Sequence, residues 1–149
     1  MTPRRQPHAP WQPDPLVPNE ESTDTGRRLF ARIRPPDSVH AVAVMAGWKG
    51  WTLPARRIHD LSLAGVAVQV SQAELSRLRV DEPVMVRMEL GDDLMLVRGR
   101  VRHVTGRGWW LWRKWHVGIV FERHETSRVS WSRLRSFLLD MQAVAEVVG

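Results

Sequence analysis

"PVMVRMELGDDLMLVRGRVRHV", residues 83–104, decides the fold. In its first eight residues Val84, Val86, Met88 and Leu90 recur at every second position, the period of a strand with one face buried. "GDD" at 91–93 is a hairpin turn signal. Alternation then resumes, with Met95, Val97 and Val101 on one side and Arg98, Arg100 and Arg102 on the other. Two amphipathic strands joined by a tight turn form an antiparallel pair, and a pair so short needs further strands to close its core.

Those strands are found on both sides. Downstream, "VGIVF" sets Val117, Ile119 and Phe121 in step. Upstream, "VHAVAV" (39–44) is a compact β-type run followed by the turn-like "GWKGW". "GVAVQV" (65–70) places Val66, Val68 and Val70 on one face and Ala67 and Gln69 on the other. After it, Ser71 and Glu74 have the spacing of a capping box and predict a short helical turn. The period changes only at the end. Trp131, Leu134, Leu138, Met141 and Ala145 recur at helical spacing, with Thr126 or Ser127 as the N-cap. Short strands with tight turns and no crossover helices predict a mainly β protein: a six-stranded antiparallel β-barrel with a C-terminal amphipathic α-helix over one face or open end.

Composition sets wider limits. A chain of 149 residues suits one domain with a real core. Residues 1–25 hold most of the prolines and few aliphatic side chains, which predicts a disordered tail before a domain at 26–145. No run approaches the roughly 20 apolar residues of a membrane span, and the N-terminus lacks the apolar stretch of a secretory signal. Cysteine is absent, which removes disulfides, thiolate catalysis and cysteine-held metals together. The cytoplasm is the expected compartment. The net charge is +6, and of 22 basic residues only Lys49 and Lys114 are lysine. Arginine's planar fork suits phosphates and guanine edges, although arginine-rich coding in a GC-rich genome produces the same bias.

Two short motifs flank the first long strand. "GRRLFARIRPP" carries Arg27, Arg28 and Arg32 as RRxxxR, and "DLSLAG" carries Asp60, Ser62 and Gly65 as DxSxxG. Each is weak alone: without the arginines, Asp60 and Ser62 are equally turn-capping residues and Gly65 a β-bulge. In this order, with a strand between and a barrel following, they resemble the PilZ domain, the bacterial receptor module for cyclic di-GMP, over roughly residues 26–142. The resemblance implies a ligand site in which Arg28 and Arg32 grip guanine edges and phosphates, with Arg27 as an additional contact. Arginine can take guanine O6 and N7 together and can stack on the purine face. Asp60 would accept guanine N–H donors, and Ser62 would bond a phosphate or base atom. Gly65, without a Cβ, would let the backbone bend or approach the ligand. Simple alternation sends Asp60 and Ser62 to one surface and Leu61 and Leu63 into the barrel.

Other features fit less specific roles. Trp109, Trp110, Trp112 and Trp115 fall within seven positions beside Arg113 and Lys114, so the Trp109–Trp115 hairpin is either a barrel plug or a contact for a partner or membrane surface. Arg98, Arg100 and Arg102 read as a solvated strand face. Arg56 and Arg57 adjoin the second motif and are further candidates for phosphate. His59 has no nucleophile beside it, and the other histidines lack ligand spacing, so neither an enzyme nor a metal site is expected. The chain therefore reads as a cyclic di-GMP receptor without cofactor that relays the messenger to an unidentified protein partner. Motility, exopolysaccharide production and virulence control are outputs the resemblance implies. Two other classes compete: a ligand-free adaptor of the same family using the Trp-rich surface, and, less favoured, a small basic barrel for single-stranded nucleic acid.

Overall fold

The structure is a computed structural model and describes residues 30–107, 114–142 and 146–147. A two-residue strand β1 (Ile33–Arg34) leads into β2 (Ala41–Gly47), β3 (Arg56–Leu61) and β4 (Gly65–Val70). A four-residue helix α1 (Gln72–Leu75) precedes β5 (Pro83–Leu90), β6 (Asp93–Arg107) and β7 (Lys114–Phe121). The helix α2 (Arg128–Met141) follows a 3-10 turn, and β8 (Glu146–Val147) pairs back onto β1.

Six antiparallel strands close on themselves in the order β2-β5-β6-β7-β4-β3, with β3 returning to β2 through Val42–Arg57 and Ala43–Arg56. Closure leaves the barrel strands without a free edge over most of their length, which is how small β proteins avoid edge-to-edge aggregation. The expected fold is the observed one.

The pairing explains the alternation. Val84, Val86, Met88 and Leu90 are each at most 2% exposed, and their partners Met95 and Val97 at most 1%. Gly91 and Asp92 form the predicted turn, with Gly91 at φ +61°, a left-handed conformation that glycine adopts without steric cost. Beyond Leu90 the interior is filled by residues of every barrel strand, among them Met45, Ile58, Val68, Val101 and Ile119.

α2 does more than cover a face. β7 pairs with β6 only from Gly99 onward, so the stretch Leu94–Arg98 lacks a strand neighbour on one side. The segment leading into and forming α2 supplies one. Leu96 N–H donates to Ser130 Oγ (3.2 Å), Arg98 N–H donates to Thr126 Oγ1 (3.2 Å), and Arg133 donates to the Leu94 carbonyl (2.9 Å). Leu134, Phe137 and Leu138 then join the core. Ser127 is the N-cap, accepting from Ser130 N–H, which frees Thr126 for the β6 edge. No helix among the described residues is long and apolar enough to cross a membrane.

Candidate ligand-binding site

The two motifs meet through Arg32 and Asp60. Arg32 Nε donates to Asp60 Oδ1 at 3.0 Å and Nη2 donates to Oδ2 at 2.6 Å, a bidentate fork across 28 residues of sequence. The strand β1 makes this possible: Ile33, 2% exposed, pairs with Leu61 and pins the arginine segment beside β3. Asp60 is almost wholly buried while the Arg32 side chain is 53% exposed, so the carboxylate lies beneath and the guanidinium faces outward. The Asp60 hydrogen bond, working against partial burial, raises the Arg32 pKa above its ordinary value. Arg32 is a permanent cation held in a fixed orientation.

Around Asp60 the simple alternation fails. Asp60, Leu61, Ser62 and Leu63 are all at most 3% exposed. The cause is a register shift between Ile58 and Asp60, where β3 slips against β4. Ser62 stands past the end of β3 in the turn to β4; its N–H donates to the Gly65 carbonyl and its hydroxyl accepts from Ala64 N–H (3.1 Å). Both Asp60 oxygens and the Ser62 hydroxyl thus have partners within the protein. Gly65 lies in regular pairing with Val120, and a Cβ there would stand 2.2 Å from the Ile119 carbonyl oxygen. Glycine is required at this position by the closeness of β7, whatever a ligand does. The irregularity lies one strand earlier than a bulge at Gly65 would put it.

A cleft of about 520 Å³ is lined by Arg34, Pro35, Asp37, Arg56, Arg57, Ile58, His59, Gln69, Val70 and Ser71; Arg32, Asp60, Ser62 and Gly65 are not among its lining residues. Its cations are held in different ways. Arg56 pairs with Glu74 Oε1 at 2.5 Å, and the same oxygen accepts from Ser71 N–H, while Ser71 Oγ accepts from Glu74 N–H, completing the predicted capping box. Burial pushes the Glu74 carboxyl up, but the bonds from Ser71 and Arg56 together outweigh it and hold the group below its ordinary range. Arg57 bonds the carbonyls of Val39 (2.9 Å), Pro36 (2.5 Å) and Pro35 (3.3 Å), with exposed Asp37 3.8 Å away. Arg34 Nη2 lies 3.2 Å from His59 Nε2, and among the described residues it has no carboxylate partner. The His59 ring lies 4.4 Å from that of His116 on β7. With Arg56 balanced by Glu74 and Arg57 near Asp37, Arg34 is the cation of this wall that most suits it to an anion.

Of the expected site residues, Arg32, Asp60, Ser62 and Gly65 lie in one corner of the barrel. Arg27 and Arg28 are outside the described residues. So are the N-terminal tail and Trp109, Trp110, Trp112 and Arg113, whereas Trp115 is half-buried against the core. Arg34, Gln69 and His116 were not singled out from sequence. Arg34 had a signal, since it stands two residues after Arg32 in an extended segment; Gln69 and His116 had none, because their juxtaposition depends on β4–β7 pairing. Glu122, His124 and Glu125 are close enough for a shared cation, but Glu122 pairs with Arg100 and Glu125 with Arg98, which already neutralise them.

A closed six-stranded antiparallel barrel with a helix along its gap and an arginine-lined cleft defines a small β-barrel module. The profile of the PilZ domain matches residues 26–140, and the chain belongs to that family. Solved structures agree on the fold. The PilZ domain of YcgR from Escherichia coli, solved with c-di-GMP, is 16% identical, with a TM-score of 0.62 over 78% of this chain and 92% of that one. The MrkH–c-di-GMP complex of K. pneumonia is 18% identical, with a TM-score of 0.61 over 74% of this chain and 50% of that one. The inhibitor of motility MotI/DgrA of Bacillus subtilis is 14% identical, with a TM-score of 0.58 over 76% of this chain and 50% of that one. The chain therefore spans about half the length of MrkH and of MotI. No curated protein matches the sequence.

Proposed function

We propose that this chain is a cytoplasmic receptor for cyclic di-GMP, not an enzyme, and that it passes the messenger's presence to a protein partner. The observation that carries the reading is the Arg32–Asp60 fork, whose strands β1 and β3 also supply Arg34, Arg56 and Arg57 to a cleft of about 520 Å³. It joins the two motifs that are separate in sequence, and the Arg32 side chain is 53% exposed. PilZ membership and two structural neighbours solved with c-di-GMP support cyclic di-GMP as the ligand.

In this mechanism Asp60 orients Arg32, and Arg32 stacks on or bonds a guanine through its exposed atoms. Arg27 and Arg28 arrive from the segment before Phe30 and add contacts to phosphate and base. Arg34, Arg56 and Arg57 line the wall that faces the phosphates. Direct contact of Asp60 or Ser62 with the ligand would require their internal partners to be exchanged for ligand atoms. Gly65 keeps β7 close enough to hold the corner.

Calorimetric titration of the full chain with cyclic di-GMP tests the reading. Saturable heat is expected, and Arg28→Ala, Arg32→Ala and Asp60→Ala should each weaken binding by ten- to a hundredfold, roughly 1.5 to 3 kcal/mol. Wild-type affinity in all three variants would place the site elsewhere. A ligand-free adaptor is the second reading, favoured by the internal bonding of Asp60 and Ser62. It predicts no heat at all.

A further inference from the structure

The outer face of β2, β5 and β6 has a composition that the ligand site does not explain. Register fixes a three-by-three grid of outward side chains there. Val42, Val44 and Ala46 lie on β2, Glu89, Arg87 and Met85 on β5, and Leu94, Leu96 and Arg98 on β6. Arg87 occupies the centre, opposite Val44 on one side and Leu96 on the other. Met85, Leu94 and Leu96 are 43%, 50% and 52% exposed, and Trp48, at the edge of the grid over Arg98, is 77% exposed.

Arg87 is the unusual member. On the neighbouring strand β6, Arg98 pairs with Glu125, Arg100 with Glu122 and Arg102 with Asp81. Glu89, its neighbour on the strand, is engaged with His40 at 2.9 Å. Among the described residues Arg87 has no hydrogen-bond or ion-pair partner. An exposed cation framed by Val44, Leu96 and Met85 has its charge complement missing, and arginine and tryptophan at such positions are the residue types that anchor protein interfaces.

We propose that this face docks a protein partner that presents one carboxylate within an apolar patch. Apolar contact would be made on Val44, Met85, Leu94 and Leu96, with Trp48 at the rim, and the partner's carboxylate would take Arg87 in the bidentate geometry its fork favours. A second copy of this chain is a poor occupant. A two-fold interface centred here would bring two unpaired Arg87 guanidiniums face to face. The face is argued from its own residues and stands whether or not cyclic di-GMP binds the cleft.

The test uses the full chain in cells of its source organism, with a photoreactive p-benzoylphenylalanine at position 96 or 85 and, as a control, at 102. A discrete adduct with another protein is expected from 96 and 85 and not from 102. Arg87→Glu should lower its yield at least tenfold, and reversing an Asp or Glu to Arg in the crosslinked segment of the partner should restore it. Unchanged far-ultraviolet dichroism and melting of Arg87→Glu keeps a folding defect from mimicking that loss. The proposal fails if no protein adduct forms, if Arg87→Glu leaves the yield unchanged, if the adduct is this chain with itself, or if positions 96 and 85 crosslink only to lipid.

Discussion

The two sides of the barrel treat charge in opposite ways. At the β1–β3 corner and its cleft, cations are held in place before any ligand arrives: Arg32 by Asp60, Arg56 by Glu74, Arg57 by three carbonyls. On the β2–β5–β6 face Arg87 stands between half-buried Val44 and exposed Leu96, and among the described residues it has no hydrogen-bond or ion-pair partner. A pre-oriented cation loses little freedom when an anion binds and so suits a small ligand. A lone cation in an apolar surround is satisfied only by a partner large enough to cover the whole patch. On the proposed reading one barrel presents a corner for a nucleotide and a face for a protein, and β2 and β3, paired at Val42–Arg57, connect them.

Substitutions can break or sharpen this contrast. The largest effect is expected at Gly65, where Gly65→Val drives a side chain into the Ile119 carbonyl and should cost about 3 kcal/mol of stability by denaturant unfolding. Full stability with lost ligand affinity would show instead that Gly65 serves the ligand and not the packing. Next comes Arg32→Ala, expected to lower cyclic di-GMP affinity ten- to a hundredfold, while Arg87→Ala leaves it unchanged. Equal losses from both would erase the division between the two sides.

Smaller effects follow. Glu74→Gln should cost about 1 kcal/mol near neutral pH, because the capping bond and the Arg56 pair both weaken. Its pH dependence has a definite sign. The folded-state pKa of Glu74 lies below the ordinary 4.5, so the stabilisation is fully present above that value and is lost as pH falls through the folded-state pKa. The gap between wild type and Glu74→Gln should therefore close in acid, and a gap that widened would refute the assignment. The smallest effect is Arg87→Ala, within about 0.5 kcal/mol of wild type, since the side chain has no partner among the described residues.

Much of the barrel was legible because a strand with one buried face writes its period directly into the chain. Val84 to Leu90 and Met95 to Val101 read correctly for that reason, as did the Ser71–Glu74 box, whose hydrogen bonds span three residues. Asp60 to Leu63 did not. Alternation assumes regular pairing, and the slip between Ile58 and Asp60, followed by a turn, buries four consecutive residues that the pattern divides between two faces. The cleft beyond the motifs was invisible for a related reason: Arg34 and Gln69 are 35 residues apart and share its wall only because β1 and β4 both pair with β3.

From the sequence alone came the periods, the turns, the caps and the two motifs, all of which depend on residues close together along the chain. Tertiary structure alone decided that Arg32 reaches Asp60, that Ser62 turns its hydroxyl inward, that α2 fills the gap beside β6, and that Arg87 stands at the centre of an apolar grid. Each of these depends on strand register and barrel closure, which join residues tens of positions apart and are set by how the whole core packs rather than by any local preference.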